Sequence, residues 1–247
     1  MKLLCLLLLL LTFLLAHETG ADEILGGKEA RRHSRPYMAF LDIKLCNDLF
    51  SCGGFLIRND FVMTAAHCVG DFISVRLGAH NINKREETWQ IINVTKQFPH
   101  PEYNAERLLN DIMLLKLEKK AKQTTAVRPI PLPSTSNSVL PGKECIIAGW
   151  GGTKLKSSGS DTLQEAEVRV TNPIYCKNFT CFDERSLLCV GTPKSIKTTF
   201  SGDSGGPLVC SGVAHGIVSY GNNKYPPSVF TKIAHYSSWI NQILNAN

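Results

Sequence analysis

Short runs of β-branched and apolar residues, each closed off by turn-forming residues, recur along almost the whole chain. They cover residues 37–45, 55–57, 61–64, 73–77, 90–97, 112–117, 145–148, 164–170, 187–190, 207–210, 213–219 and 228–233. Runs of this length and spacing predict an all-β fold, a sandwich or a barrel. A helical pattern appears only at the end. There Ser237-Ser238 offer a cap, and Trp239, Ile240, Ile243 and Leu244 form one apolar stripe. The stretch Arg128–Gly142, with Pro129, Pro131, Pro133 and Pro141, is the best candidate for a connection between two β halves.

The first residues bear on compartment. Met1-Lys2 is a short basic start, Leu3–Ala16 is almost purely apolar, and His17–Ala21 turns small and polar, with Thr19 and Ala21 before a cut. This pattern reads as a secretory signal peptide, residues 1–21. The alternative, a membrane anchor, needs about 20 apolar residues, and neither this stretch nor any later one is long enough. The product is therefore expected to be secreted or vesicle-stored, without a membrane span. Removing the signal takes Cys5 away and leaves eight of the nine cysteines. If Asp22-Glu23 is trimmed as well, one base and three acids are lost, and the formal charge rises from +6 to +8. Such a surplus favours acidic partners, and in a secretory compartment sulfated glycosaminoglycan such as heparin is favoured over nucleic acid. A generic basic surface explains the charge equally well. The bases are spread, and no aromatic ladder of the kind that grips single-stranded nucleic acid accompanies them. With 43% hydrophobic and 19% charged residues, the chain is no disordered or collagen-like polymer.

Three stretches carry chemistry. In Gly202-Asp203-Ser204-Gly205-Gly206-Pro207 one serine sits among glycines just before an apolar strand. Glycines allow close backbone approach, so Ser204 is a candidate nucleophile whose own N–H, with that of Gly202, binds a developing oxyanion. A simple tight turn is the competing reading. Thr64-Ala65-Ala66-His67-Cys68 puts a histidine, a candidate base, directly after a β run. Asn110-Asp111-Ile112 puts an acid at the head of an apolar strand, where burial is costly unless the carboxylate is paired. Each reading is weak singly. Taken together, in the order His, Asp, Ser, they describe a nucleophile, a base and an orienting carboxylate.

With these residues the chain resembles the chymotrypsin-like serine proteases from Ile24 to the C-terminus. The motifs are Ile24-Leu25-Gly26-Gly27, TAAHC (64–68), NDIMLLKL (110–117), AGWG (148–151), GDSGGPLVC (202–210) and SYG (219–221). Segments 33–39 and 77–82, and Phe200 where trypsin and chymotrypsin have cysteine, resemble the granule-stored branch of chymases, mast cell proteases, cathepsin G and granzymes. The resemblance implies two antiparallel six-stranded barrels, about 38–125 and 140–235, with a C-terminal helix about 236–245, in a peptidase domain of residues 24–247. It implies His67 as general base then acid, Asp111 as orienter, Ser204 as nucleophile, and the N–H groups of Gly202 and Ser204 as oxyanion hole. Asp22-Glu23 resembles a granule-protease activation dipeptide, whose removal frees the Ile24 ammonium to pair with Asp203.

The same resemblance puts the floor of the specificity pocket at Thr198, Gly221 at its mouth and Ser228 on its far wall, with Ser219 and Tyr220 also against substrate. None of the three pocket residues is charged. The implied activity is therefore secreted, granule-type endopeptidase cleavage after Phe, Tyr, Leu or Met, with the methyl of Thr198 tilting preference toward Leu or Met. A catalytically weak homologue acting as a binding protein is the alternative. Chymases with basic residues at the positions of Gly152, Phe50 and Ser201 favour acidic residues on the leaving-group side, a preference not expected here. The implied disulfides are Cys52–Cys68, Cys145–Cys210 and Cys176–Cys189, leaving Cys46 and Cys181 either free or bridging two molecules. Serpin-type inhibitors are expected partners by family, with no cofactor. No His-Glu-x-x-His or clustered ligand set argues for a metal. Asn93-Val94-Thr95 and Asn178-Phe179-Thr180 are glycosylation sequons.

Overall fold

The computed structural model describes residues 27–134, 139–151, 159–179, 181–191, 203–222 and 225–247. The signal and activation segments, Ile24, Thr198 and Gly202 lie outside the described residues.

The first half builds a closed antiparallel barrel. Its strands are β2 (Met38–Leu45), β3 (Asp48–Arg58), β4 (Phe61–Thr64), β5 (Phe72–Leu77), β6 (Gln90–Pro99) and β7 (Met113–Leu117), joined in the order β2-β3-β4-β7-β6-β5. Closure removes free strand edges and lets alternate side chains fill the interior. Phe55, Leu56, Phe61, Met63, Val75 and Leu114 are completely buried there. The β2–β3 hairpin is longer than the sequence pattern predicts. It pairs without a break from Met38 opposite Phe55 to Leu45 opposite Asp48, so β3 starts seven residues before Phe55 and runs through Gly53-Gly54.

The second half contributes β8 (Glu144–Gly149), β9 (Gln164–Arg169), β10 (Leu187–Val190), β11 (Pro207–Cys210), β12 (Val213–Asn222) and β13 (Tyr225–Lys232). They form an antiparallel sheet in the order β9-β8-β11-β12-β13-β10, extended at the β9 edge by the two-residue β1 (Lys28–Glu29). A bridge between Val170 and Val190, and bonds from Thr171 N–H to Cys189 O and from Gly191 N–H to Arg169 O, each 2.8 Å, bring β10 back onto the end of β9.

Two segments strap the halves together. β1 precedes the barrel in sequence yet pairs with β9 of the second sheet. The C-terminal helix α1 (Ser237–Ala246) follows the second sheet yet packs Ile240 into the cluster that holds the barrel core, with Trp239, Ile243 and Leu244 against it. The expected serine cap is not formed. Ser237 is already the first helical residue, entered from a 3-10 turn (Ile233–Tyr236), and its hydroxyl donates back to Ala234 O at 2.9 Å. The preceding turn supplies the carbonyls that an N-terminal helix segment otherwise lacks. No helix among the described residues is long and apolar enough to cross a membrane.

Candidate active site

The site lies on the seam between barrel and sheet. Asp111 lies two residues before the first residue of β7 and is completely buried. Burying a lone carboxylate is prohibitive, so its bonding partners define it. Oδ1 accepts the backbone N–H of His67 at 2.9 Å, and Oδ2 lies 2.8 Å from His67 Nδ1. Oδ2 also accepts the Ser219 hydroxyl at 2.5 Å, and the Asp111 carbonyl accepts the Thr231 hydroxyl at 2.7 Å. An ionised carboxylate only accepts, so the facing ring nitrogen carries the hydrogen. The neutral imidazole is thereby fixed with Nδ1–H toward Asp111 and a bare, basic Nε2.

His67 is carried on a 3-10 turn (Ala66–Cys68) directly after β4, with its side chain 24% exposed. The Cys52–Cys68 disulfide ties that turn to β3. Cys52, His67 and Cys68 crowd within 4.8 Å, but the two sulfurs are bonded to each other, so neither is a thiolate for a metal.

Ser204 arrives from the second half, in the turn before β11. Its carbonyl accepts the N–H of Gly53 at 2.8 Å and lies 3.9 Å from Cys68 Sγ, beside the residue next to His67. Gly205 makes this docking possible. It has φ +82, and a Cβ there would fall 2.1 Å from Thr64 Oγ1 and 2.5 Å from Gly53 O. His67, Asp111 and Ser204 thus come from three remote stretches to one corner of the seam.

Asp203, beside the serine, is 2% exposed and accepts the Gly151 N–H at 2.9 Å. The glycines of the AGWG motif are required by this approach. A Cβ at Gly149 would sit 2.1 Å from Asp203 Oδ1, and one at Gly151 would sit 2.6 Å from it.

Ser219, Tyr220 and Gly221 follow one another on β12. The Ser219 hydroxyl is turned onto Asp111. Tyr220 stacks edge-on against Phe179, ring centroids 5.8 Å apart. Its buried hydroxyl has no hydrogen-bond partner among the described residues, and burial, with smaller contributions from Cys181 and Asp111, pushes its pKa up to about 12. Gly221 faces buried Ser228 across β12–β13.

Cys145–Cys210 and Cys176–Cys189 are also bonded, while Cys46 and Cys181 are not. Asn93 is exposed on β6 and Asn178 is exposed after a 3-10 turn (Pro173–Cys176). Two residues at the site have no signature in the sequence. Thr231 is an ordinary alternating strand residue. Tyr236, whose hydroxyl donates to Asn110 Oδ1 at 3.0 Å, reads as one more aromatic. Both act across more than a hundred residues of chain, and no local pattern encodes such a contact.

The family profile described as Trypsin matches residues 24–240. The chain is 56% identical over 245 residues to chymase of Canis lupus familiaris, covering 98% of each protein. It is 53% identical over 240 residues to mast cell protease 2 of Meriones unguiculatus, covering 96% of this chain and 97% of that one. A solved structure described as "Structure of GrC" superposes with a TM-score of 0.85 at 46% identity, over 89% of this chain and 99% of the other. The chain belongs to the trypsin family and is a serine endopeptidase, similar to chymases and mast cell proteases.

Proposed function

We propose that this endopeptidase cleaves after large apolar or aromatic residues, Phe, Tyr, Leu or Met, through a His67-Asp111-Ser204 relay. The observation that carries the reading is the buried Asp111 carboxylate, whose acceptors face His67 and Ser219 so that Nε2 of His67 is left as the base. His67 Nε2 takes the Ser204 Oγ proton as that oxygen attacks the scissile carbonyl. The N–H groups of Gly202 and Ser204 stabilise the oxyanion. The leaving amine departs with the proton from His67, and water, activated by the same nitrogen, hydrolyses the acyl-enzyme.

Specificity follows from what the pocket lacks. With Thr198, Gly221 and Ser228 around it, a buried Lys, Arg or Asp side chain of a substrate would have no counter-ion, at a cost of about 3–5 kcal/mol. That is two to three decades in kcat/KM. Activation is assigned to Ile24, whose ammonium, freed by removal of Asp22-Glu23, pairs with buried Asp203 and orders the oxyanion loop. We further assign secretion and granule storage, supported by the apolar leader and by the relatives named mast cell protease. Heparin-type sulfated glycosaminoglycan is assigned as a partner from the net positive charge, and serpin-type inhibitors from the family.

The deciding experiment is a peptide-library cleavage profile of protein that starts at Ile24. Cleavage after Phe, Tyr, Leu or Met supports the pocket reading, and a maximum at Arg, Lys or Asp sinks it. Labelling of Ser204 by a fluorophosphonate, absent in Ser204→Ala and in protein retaining Asp22-Glu23, tests the nucleophile and the activation step together. Salt-sensitive retention on heparin tests the glycosaminoglycan assignment.

A further inference from the structure

We infer that Thr231 and Tyr236 are positioning residues for Asp111, through which the second half of the fold and the entry to the C-terminal helix set the aim of the His67 imidazole. The inference rests on the relay proposed above.

Asp111 belongs to the barrel by sequence, and His67 of the same half bonds its carboxylate, yet its backbone is also held from the second half. The segment before it is backbone under strain, with Leu108 at φ 50 and Asn110 at φ 55, both in the left-handed region although neither is glycine. Asparagine tolerates that conformation when its side chain is bonded. Here Asn110 Nδ2 donates to Glu102 O at 2.8 Å, and Asn110 Oδ1 accepts the Tyr236 hydroxyl at 3.0 Å. One residue on, the Asp111 carbonyl accepts the Thr231 hydroxyl at 2.7 Å. Two consecutive residues of the loop are therefore pinned by hydroxyls from β13 and from the turn that leads into α1.

Both donors are buried. Thr231 is completely buried and paired with Leu187 and Ile217 on the neighbouring strands. Tyr236 is 3% exposed, and its ring lies edge-on to His100 at 5.2 Å and to His235 at 4.8 Å. Burial pushes its pKa up to about 12, so it stays a donor throughout the working range. The remaining hold on the carboxylate is through His67 and Ser219, the groups it must itself orient. Without Thr231 and Tyr236 the strained Asn110–Asp111 backbone can relax, and the carboxylate tilts while the nucleophile and pocket stay in place. A sub-ångström tilt acts on proton transfer, not on substrate binding.

The test uses the activated protein with an apolar peptide amide, reading kcat, KM and melting temperature, with concentrations set by active-site titration. Thr231→Val keeps shape and removes the hydroxyl. It is expected to lower kcat about tenfold with KM within about twofold, as for loss of one buried bond. Thr231→Ser returns kcat to within about twofold of the parent. Tyr236→Phe lowers kcat about three- to tenfold and carries the same test if the valine variant does not fold. In an Asp111→Asn background both changes lose their effect on kcat, because they act through that carboxylate. Parental kcat in both Thr231→Val and Tyr236→Phe, or the same fractional loss in the Asp111→Asn background, overturns the inference. Failure of the relay itself shows separately, as a parent whose Ser204 does not label with fluorophosphonate.

Discussion

Replacing Asp111 by asparagine changes one atom and no volume, and the structure says which way the amide must turn. The aspartate faces three donors: the His67 backbone N–H on Oδ1, and the His67 ring with the Ser219 hydroxyl on Oδ2. An amide offers one accepting oxygen and one donating NH2. Turned with its NH2 toward the His67 backbone, it sets two fixed donors against each other at 2.9 Å. The opposite orientation puts the NH2 against partners that can adapt, since a hydroxyl rotates and an imidazole changes tautomer. The second orientation wins. It makes Nδ1 an acceptor and moves the hydrogen to Nε2, where it faces the serine and cannot receive its proton.

The loss therefore combines a disabled base with a missing counter-charge for the imidazolium. General base catalysis is worth about 10²–10⁴. Amidation of the orienting carboxylate in serine proteases removes about 10⁴, or about 5.5 kcal/mol of transition-state stabilisation. We expect kcat to fall about 10³–10⁴-fold near neutral pH, with KM within about threefold because no pocket residue moves. The assay is steady-state hydrolysis of an apolar peptide amide, with near-ultraviolet circular dichroism to confirm packing. A folded Asp111→Asn protein within tenfold of parental kcat would refute the relay and the tautomer argument together.

Other perturbations read other parts of the molecule. Gly149→Ala drives a methyl to within 2.1 Å of Asp203 Oδ1 and displaces the carboxylate from the Gly151 N–H; activity should fall at least about a hundredfold in a protein that still folds, and retained activity would contradict the close approach. Removing the Cys52–Cys68 bridge by a double alanine change opens a 16-residue separation, worth about 3 kcal/mol; calorimetry should show Tm about 6–12 °C lower, and a shift under about 2 °C would mean the loop is held otherwise. Burial opposes the charge of Glu86, but bonds from the His80 N–H and the Trp89 indole, with the Arg32 guanidinium beside it, outweigh burial and hold the carboxyl below 4.5. Because the folded group titrates lower than the unfolded one, its contribution is present above about pH 4.5 and is lost as pH falls below it. Glu86→Gln should therefore flatten the acid fall in Tm between about pH 5 and 3, and an unchanged slope would assign that fall to other groups.

What was legible in the sequence was whatever a short window carries. The apolar runs within 37–45 and 112–117 name strands, and TAAHC, NDIM and GDSGG name their own motifs. The docking of the halves was not legible. β1 sits beside the barrel in sequence but pairs in the other sheet, and Thr231 and Tyr236 meet Asp111 and Asn110 only once that docking exists. A contact between elements over a hundred residues apart depends on the twist and register of everything between them.

The start of β3 shows the same limit within one strand. Gly53-Gly54 resembles a break, since glycine weakens a strand and offers no side chain to pack. Yet the ladder runs straight through it. The Gly53 N–H donates to the Ser204 carbonyl, and a Cβ at Gly53 would stand 3.2 Å from Gly206 N. The position is bare because the Ser204 turn lies against it. Glycine in a strand means either a weak point or another backbone at close range, and the choice belongs to the partner segment, 151 residues further along at Ser204. The apparent gap in the β pattern thus lies against the Ser204 turn, a contact that no local window of the sequence contains.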